Sequence, residues 1–212
     1  MDLSSALLPV IETPGHKSLV VFGSFDERPA LTAAPHFRST LVVSERLRAA
    51  PVDEAALRSR AVPTAEVLAE LHRFDVIAFD DSFHLLPDLL QIETFERLGR
   101  YQELVVIEWD LYGTLCAFES AFIDDRAQRV QTRALINRVL HEGRVEVEQA
   151  VKGRHTEVFP ARQALLDYFR YRHPEHYPFG EHEFLRRTGG VQYPLTLWHG
   201  FDVLKLRPYG WR

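Results

Sequence analysis

The 212 residues are 46% hydrophobic and 26% charged, with a net charge of −5 and a single cysteine, Cys116. A chain of this length buries roughly 70% of its unfolded surface in one domain, so neither a disulfide nor a metal is needed as a staple. One cysteine excludes an intrachain bridge and a cysteine-rich zinc framework. Lys and Arg are scattered among Asp and Glu, which excludes the basic footprint of a nucleic-acid or anionic-membrane binder. The apolar runs, such as Leu104–Ile107, are too short to cross a bilayer, and acidic Asp2 stands where a signal peptide would be basic. A cytoplasmic protein is expected.

In chain order, four short apolar runs predict strands: Ser18 to Phe22, Ser39 to Val43, Val76 to Phe79 and Leu104 to Ile107. Each is continuous rather than alternating, as in parallel strands covered on both faces. Segments able to form helices lie between them: Ser44 to Arg60, Pro63 to His72 and Leu86 to Leu98. This β-α-β-α order predicts an α/β, Rossmann-like, doubly wound sheet with ligand sites at the carboxyl ends of its strands.

Beyond it, Glu119 to Glu142 reads as a long helix with an inward face of Ile123, Ala127, Val130, Ala134 and Val139, stopped at Gly143. Arg144 to Pro160 shows strand-like alternation, and Ala161 to Arg172 reads as a helix. After another helix at Glu181 to Arg187 and a Gly189-Gly190 stop, Val191 to Trp198 and Phe201 to Leu206 predict an antiparallel hairpin turning at His199-Gly200. The sheet is thus expected to be mostly parallel with a C-terminal antiparallel hairpin. The whole chain, 1–212, reads as one domain, with 111–183 as a helical and aromatic cover inserted before the last helix and hairpin.

Three segments carry a resemblance. Phe74 to Asp88, FDVIAFDDSFHLLPD, resembles the fourth-strand motif of class I S-adenosylmethionine-dependent methyltransferases of the small-molecule type. Arg97 to Asp110 resembles that family's helix-turn-fifth-strand segment without its Pro-Gly-Gly turn, and Phe184 to Gly190 with Leu195 to Pro208 resembles its last helix and closing hairpin. The family's first loop carries an acidic residue and a Gly-x-Gly-x-Gly turn; here Val21 stands for the acid, Gly23 for the first glycine, and Phe25 and Glu27 for the other two. The glycine loop is therefore degenerate, which removes backbone freedom and places side chains where a ligand approaches.

The resemblance implies S-adenosylmethionine as cofactor and a small molecule as methyl acceptor. It places the cofactor against Gly23, Ser24, Phe25, Ser44, Glu45, Phe79, Asp80 and His84. Glu45 would offer its carboxylate to the ribose if the second strand ends at Ser44; an alternative register puts Val42 there and loses the carboxylate. Around the strand ends, Asp80 reads equally as a ligand contact or a helix cap, while Asp81 and Ser82 read as caps. His84 reads as cofactor-proximal or as a hydrogen-bonded structural histidine. Glu108, Tyr112 and Tyr171 are candidates to touch the acceptor, with Glu108 and Asp110 otherwise solvated or capping. His173 and His176 are candidates to orient or deprotonate it, in an aromatic stretch, Tyr168 to Glu183, expected to cover a pocket. Pro174 and Pro178 break the spacing a metal site would need, so no metal is expected. Cys116 reads as apolar filler. The rival reading is a degenerate methyltransferase fold without methyl transfer that serves as a binding or partner subunit. Self-association is left open.

Overall fold

The structure, a computed structural model, describes residues 3–23, 32–43, 57–60, 64–120, 122, 125–172 and 181–209. Seven strands form one sheet: β1 (Ser18–Gly23), β2 (Ser39–Val43), β3 (Leu57–Arg60), β4 (Val76–Asp80), β5 (Glu103–Trp109), β6 (Val145–Phe159) and β7 (Leu195–Pro208). Their order is β3-β2-β1-β4-β5-β7-β6. The pairs β3/β2, β2/β1, β1/β4 and β4/β5 are parallel, and the β5-β7-β6 part is antiparallel. The helices are α1 (Leu3–Leu7), α2 (Thr64–Ala69), α3 (Asp88–Arg97), α4 (Thr114–Glu119), α5 (Arg126–His141), α6 (Arg162–Arg172) and α7 (Glu181–Thr188).

The four predicted parallel strands and the antiparallel C-terminal part are both present. Three predicted elements differ. Residues 57–60, read as the end of a helix, form β3 at the sheet edge. Residues 195–208 are one continuous strand and not a hairpin, and the antiparallel neighbour of β7 is the 15-residue β6. His199-Gly200 does not turn: Asp110 N–H donates to Gly200 O at 2.7 Å and Gly200 N–H donates to Tyr112 O at 3.3 Å. A Cβ on Gly200 would lie 3.1 Å from that of Asp110, so this glycine serves close approach across the ladder. The long helix expected from Glu119 begins at Arg126, and α4 precedes it.

The helix stops where expected. Gly143, at φ +68°, takes a left-handed conformation after α5, and Arg144 N–H caps Val139 O at 3.2 Å. The buried face of α5 is Thr132, Leu135, Ile136 and Val139, whereas Val130 is exposed. Among the described residues only Val139 belongs to the stripe predicted from the sequence, Ile123 lying outside them, and polar Thr132 is accommodated inside by a hydrogen bond to Gln91 Oε1 at 3.2 Å.

Chain contacts divide the molecule into two compact units. The first comprises 1–108, 127–152 and 202–212. Its core sets Val20, Phe22, Ile77, Phe79, Leu104 and Val106, one face of β1, β4 and β5, against Val67, Leu68, Phe95, Ile136 and Val139 of α2, α3 and α5. Alternate residues on the other face, including Leu19, Val21, Ala78 and Val105, are equally buried, which is why these strands read as unbroken apolar runs.

The second unit comprises 109–126 and 153–201. Leu115, Phe159, Leu165, Leu166, Phe169, Phe184 and Leu197 form its core, and the rings of Phe118, Phe122, Phe169 and Phe184 pack at 5.6–6.4 Å. Gly113 opens α4 at φ +127°, ψ +158°, a region that side chains avoid. A Cβ there would collide with the Trp198 carbonyl oxygen and lie 3.1 Å from His199 Cα. Gly113→Ala is expected to cost at least about 2 kcal/mol, read from urea unfolding followed by tryptophan fluorescence. A loss below about 0.5 kcal/mol would contradict the assignment of strain to this residue.

Candidate functional site

The sheet order reverses between β1 and β4, whose last residues, Gly23 and Asp80, are register partners. In open α/β sheets a crevice forms at such a switch point, outside the carboxyl ends of the strands. Beneath it, Phe22 and Phe79 stack at 4.6 Å and Phe83 meets Phe79 edge-on at 4.8 Å. The Phe79 side chain is wholly buried in this stack, so only its backbone faces the strand end. Asp80 is half-buried.

Immediately after β4 the chain turns sharply. Asp81 adopts φ +49°, its N–H donates to Ile107 O at 2.8 Å, and the Ser82 hydroxyl donates to Phe22 O at 2.6 Å. These bonds tie the end of β4 to its two neighbours. Ser82 stands at the N-cap of the next turn but makes no side-chain capping bond, and the Asp81 carboxylate turns to Arg129. The helix-cap reading of Ser82 is thereby corrected, and Asp81, in a left-handed conformation, is buried.

A short turn, Phe83–Leu85, then buries His84 against Glu108. Glu108 Oε2 lies 2.7 Å from His84 Nδ1, and Glu108 Oε1 accepts the His84 backbone N–H at 3.2 Å. Arg129 donates to both Asp81 oxygens, at 2.6 and 3.2 Å, and to Glu108 Oε2 at 3.3 Å. The side chains of Asp81, His84, Glu108 and Arg129 are only 2%, 2%, 9% and 11% exposed. Glu108 is thus buried rather than solvated, and its Oε1 accepts a backbone N–H of the Phe83–Leu85 turn, as a capping carboxylate does. It lies on the same face of β5 as Val106 and Leu104, two and four residues away, and that face is turned to α5.

Burial alone would lower the His84 pKa, and Arg129 acts in the same sense; the charge and hydrogen bond of Glu108, helped by Asp81, outweigh them and raise it above 6.5. The four side chains balance when the imidazole is protonated. Because the folded-state pKa is raised, the resulting stabilisation is fully present below 6.5 and is lost as pH rises through the folded value. Histidine NMR is expected to place the His84 midpoint above that of a model imidazole and to bring it down in Glu108→Gln. A midpoint that does not move in the variant would contradict the pairing.

Asp81, His84 and Glu108 each place one ligand atom within 4.8 Å of the others, which is metal-ligand spacing. Arg129, bidentate on Asp81, already supplies the cation that such a set would demand. The donor chemistry therefore describes an ionic cluster.

Ser24, Phe25, Ser44, Glu45, His173 and His176 lie outside the described residues, as does the side chain of Tyr171 in α6. Tyr112 is 72% exposed, and Asp110 accepts the Leu111 N–H at 2.7 Å within its own turn. Phe169 is a core residue of the second unit and half-buried Tyr168 packs against that core, donating to Glu119 Oε1 at 3.2 Å. The sequence reading missed Arg129. Its signal was there, since Arg129, Thr132 and Ile136 recur at helical spacing and continue the buried stripe of α5 toward its N-terminus.

No protein-family model matches the sequence, and no curated protein is similar to it. Solved structures are. A candidate methyltransferase from Bacillus halodurans C-125 superposes with a TM-score of 0.60 at 13% identity, over 97% of this chain and 98% of the other. The chain has the class I methyltransferase fold. A candidate type II methyltransferase from Anaeromyxobacter dehalogenans shares this fold at a TM-score of 0.53 and 13% identity, over 92% of each chain. So does precorrin 8W decarboxylase from Methanobacterium thermoautotrophicum, at 0.54 and 9%, over 98% of this chain and 89% of that one. In this methyltransferase fold the His84–Glu108–Arg129–Asp81 cluster sits behind the carboxyl ends of β4 and β5.

Proposed function

We propose that the protein is an S-adenosylmethionine-dependent methyltransferase acting on a small molecule. The observation that carries this reading is the switch point between β1 and β4, with Gly23 facing Asp80 across it, in a chain of the methyltransferase fold. The donor set on the described side suits the cofactor: a half-buried carboxylate, Asp80, can accept from an ammonium or hydroxyl group, and Gly23 presents backbone without a side chain. When bound, the cofactor supplies an electrophilic methyl group on a sulfonium, so the protein's work is to align the acceptor and exclude water. Asp81 and Glu108, locked by Arg129 and His84, hold the ends of β4 and β5 in one geometry for that purpose.

A second reading has its own support. Val21, in the place of the family's acidic residue, is a buried apolar residue paired with Val42 and Ala78 in the sheet, and Phe25 and Glu27 replace glycines. A degenerate methyltransferase fold that no longer transfers methyl groups and serves as a binding or partner subunit fits that departure. Incubation of the intact chain with methyl-labelled S-adenosylmethionine and a fractionated small-molecule extract separates the two. Label appearing in a low-mass product supports transfer; no labelled product across the fractions supports the second reading.

A further inference from the structure

The ionic cluster behind β4 and β5 lies wholly in the first unit, and its charges are divided unevenly. Among the described residues, the charged groups facing His84 are Asp81 of its own turn, Glu108 of β5 and Arg129 of α5. Arg129 Nη1 stands 2.6 Å from Asp81 but 3.3 Å from Glu108, while His84 Nδ1 stands 2.7 Å from Glu108. That division needs a charge on the imidazole: protonated His84 answers Glu108 and leaves Arg129 to Asp81. With His84 neutral, two buried carboxylates share one guanidinium, and Glu108 draws it away from Asp81. Asp81 depends on that bond. Its φ of +49° is uncommon outside glycine and persists where the surroundings hold it. The turn reaches the switch point on both sides, because Asp80 directly precedes Asp81 and Ser82 donates to the carbonyl of Phe22, the neighbour of Gly23.

We infer that His84 is a positioning residue for the cofactor: its protonated form holds the Asp81 turn, and with it Asp80 and Gly23, in the geometry that binds S-adenosylmethionine, and loss of its proton releases the turn and weakens binding. The inference rests on the methyltransferase reading of the switch point. His84, with a side chain 2% exposed, acts through Glu108, Arg129 and Asp81 rather than by touching the ligand. Because its partnership with Glu108 raises the His84 midpoint above 6.5, affinity is highest below that value and falls as pH rises through the folded midpoint. Linkage is reciprocal, so bound cofactor tightens the hold of His84 on its proton by the same factor.

The test is calorimetric titration of the full chain with S-adenosylhomocysteine at pH values spanning the His84 midpoint, which histidine NMR locates in the same samples. Affinity is expected to fall at least about fivefold across the midpoint, and saturating ligand to raise the proton affinity of His84 by the same factor. Two substitutions separate charge balance from packing. His84→Gln, always neutral, should bind at the weak level at every pH. Adding Glu108→Gln to it removes one carboxylate, keeps an acceptor for the backbone N–H at position 84 and returns Arg129 to Asp81, so the double variant should recover the tight level without pH dependence. Binding that is flat across the midpoint in the parent chain, or no recovery in the double variant, would overturn this inference alone. No binding at any pH would overturn the methyltransferase reading and this inference with it. Should the variants fail to fold, the parent chain decides: a His84 midpoint that saturating ligand leaves unmoved overturns the coupling.

Discussion

Glu103→Ala is expected to destabilise the protein by about 3–5 kcal/mol, the loss typical of removing one partner from a buried ionic cluster. Glu103 begins β5 with a side chain only 3% exposed, and it binds Lys17 at 2.9 Å, Arg207 at 2.6 Å and Lys205 at 3.1 Å. Glu148 of β6 shares the last two, at 2.6 Å from Arg207 and 3.0 Å from Lys205. Three cations therefore rest on two carboxylates. Removing Glu103 leaves Lys205, 2% exposed, among like charges with one fewer carboxylate to balance them. Glu148→Ala should cost less, because that carboxylate is 30% exposed and water replaces part of what is lost. Burial alone would raise the Glu103 pKa, but hydrogen bonds from Lys17 and Arg207 and the charge of Lys205 lower it overall. With its folded pKa depressed, Glu103 contributes stability above 4.5 that is lost as pH falls through the folded value. Urea midpoints for both variants across that range check the ranking; a Glu103→Ala loss under about 1 kcal/mol would contradict it.

Arg129→Met should produce a loss of similar size, about 3–5 kcal/mol near neutral pH, for the opposite reason. Here two carboxylates, Asp81 and Glu108, lose the guanidinium that bridges them at 2.6 and 3.3 Å. The deficit should shrink in acid, because protonated His84 then supplies part of the missing positive charge. The His84 midpoint should rise further in this variant, since Arg129 is one of the influences that lower it. Denaturant unfolding at pH 8 and pH 5 with histidine NMR separates this from simple loss of packing: a pH-independent deficit and an unmoved midpoint would show that Arg129 acts only as a filler.

The parallel half of the sheet was legible because β1, β2, β4 and β5 are apolar in unbroken runs, a pattern that only burial on both faces requires. The FDVIAFDD segment also placed Asp80 at a strand end correctly. The antiparallel part was legible in kind but not in detail. A glycine at 200 marks a turn in most sequences, and only the approach of Asp110 shows why this one stays in a strand. Likewise β6 alternates half-buried and exposed residues over its whole length, as an edge strand does, and its charges hide how long it is. The ionic cluster was legible in His84 and Glu108 as separate candidates, but their partnership depends on a 24-residue separation closed by adjacent strands. Arg129 and Thr132 broke the apolar stripe of α5, and they are buried because their partners lie on other elements.

The claim that the switch point between β1 and β4 receives the cofactor is tested most directly by calorimetric titration of the intact chain with S-adenosylhomocysteine, the demethylated product. A saturable one-to-one heat is expected, and it should vanish in Gly23→Trp, whose side chain would fill the approach beside Asp80 while the unfolding midpoint stays unchanged. No heat in the intact chain, or the same affinity in Gly23→Trp, would contradict the account.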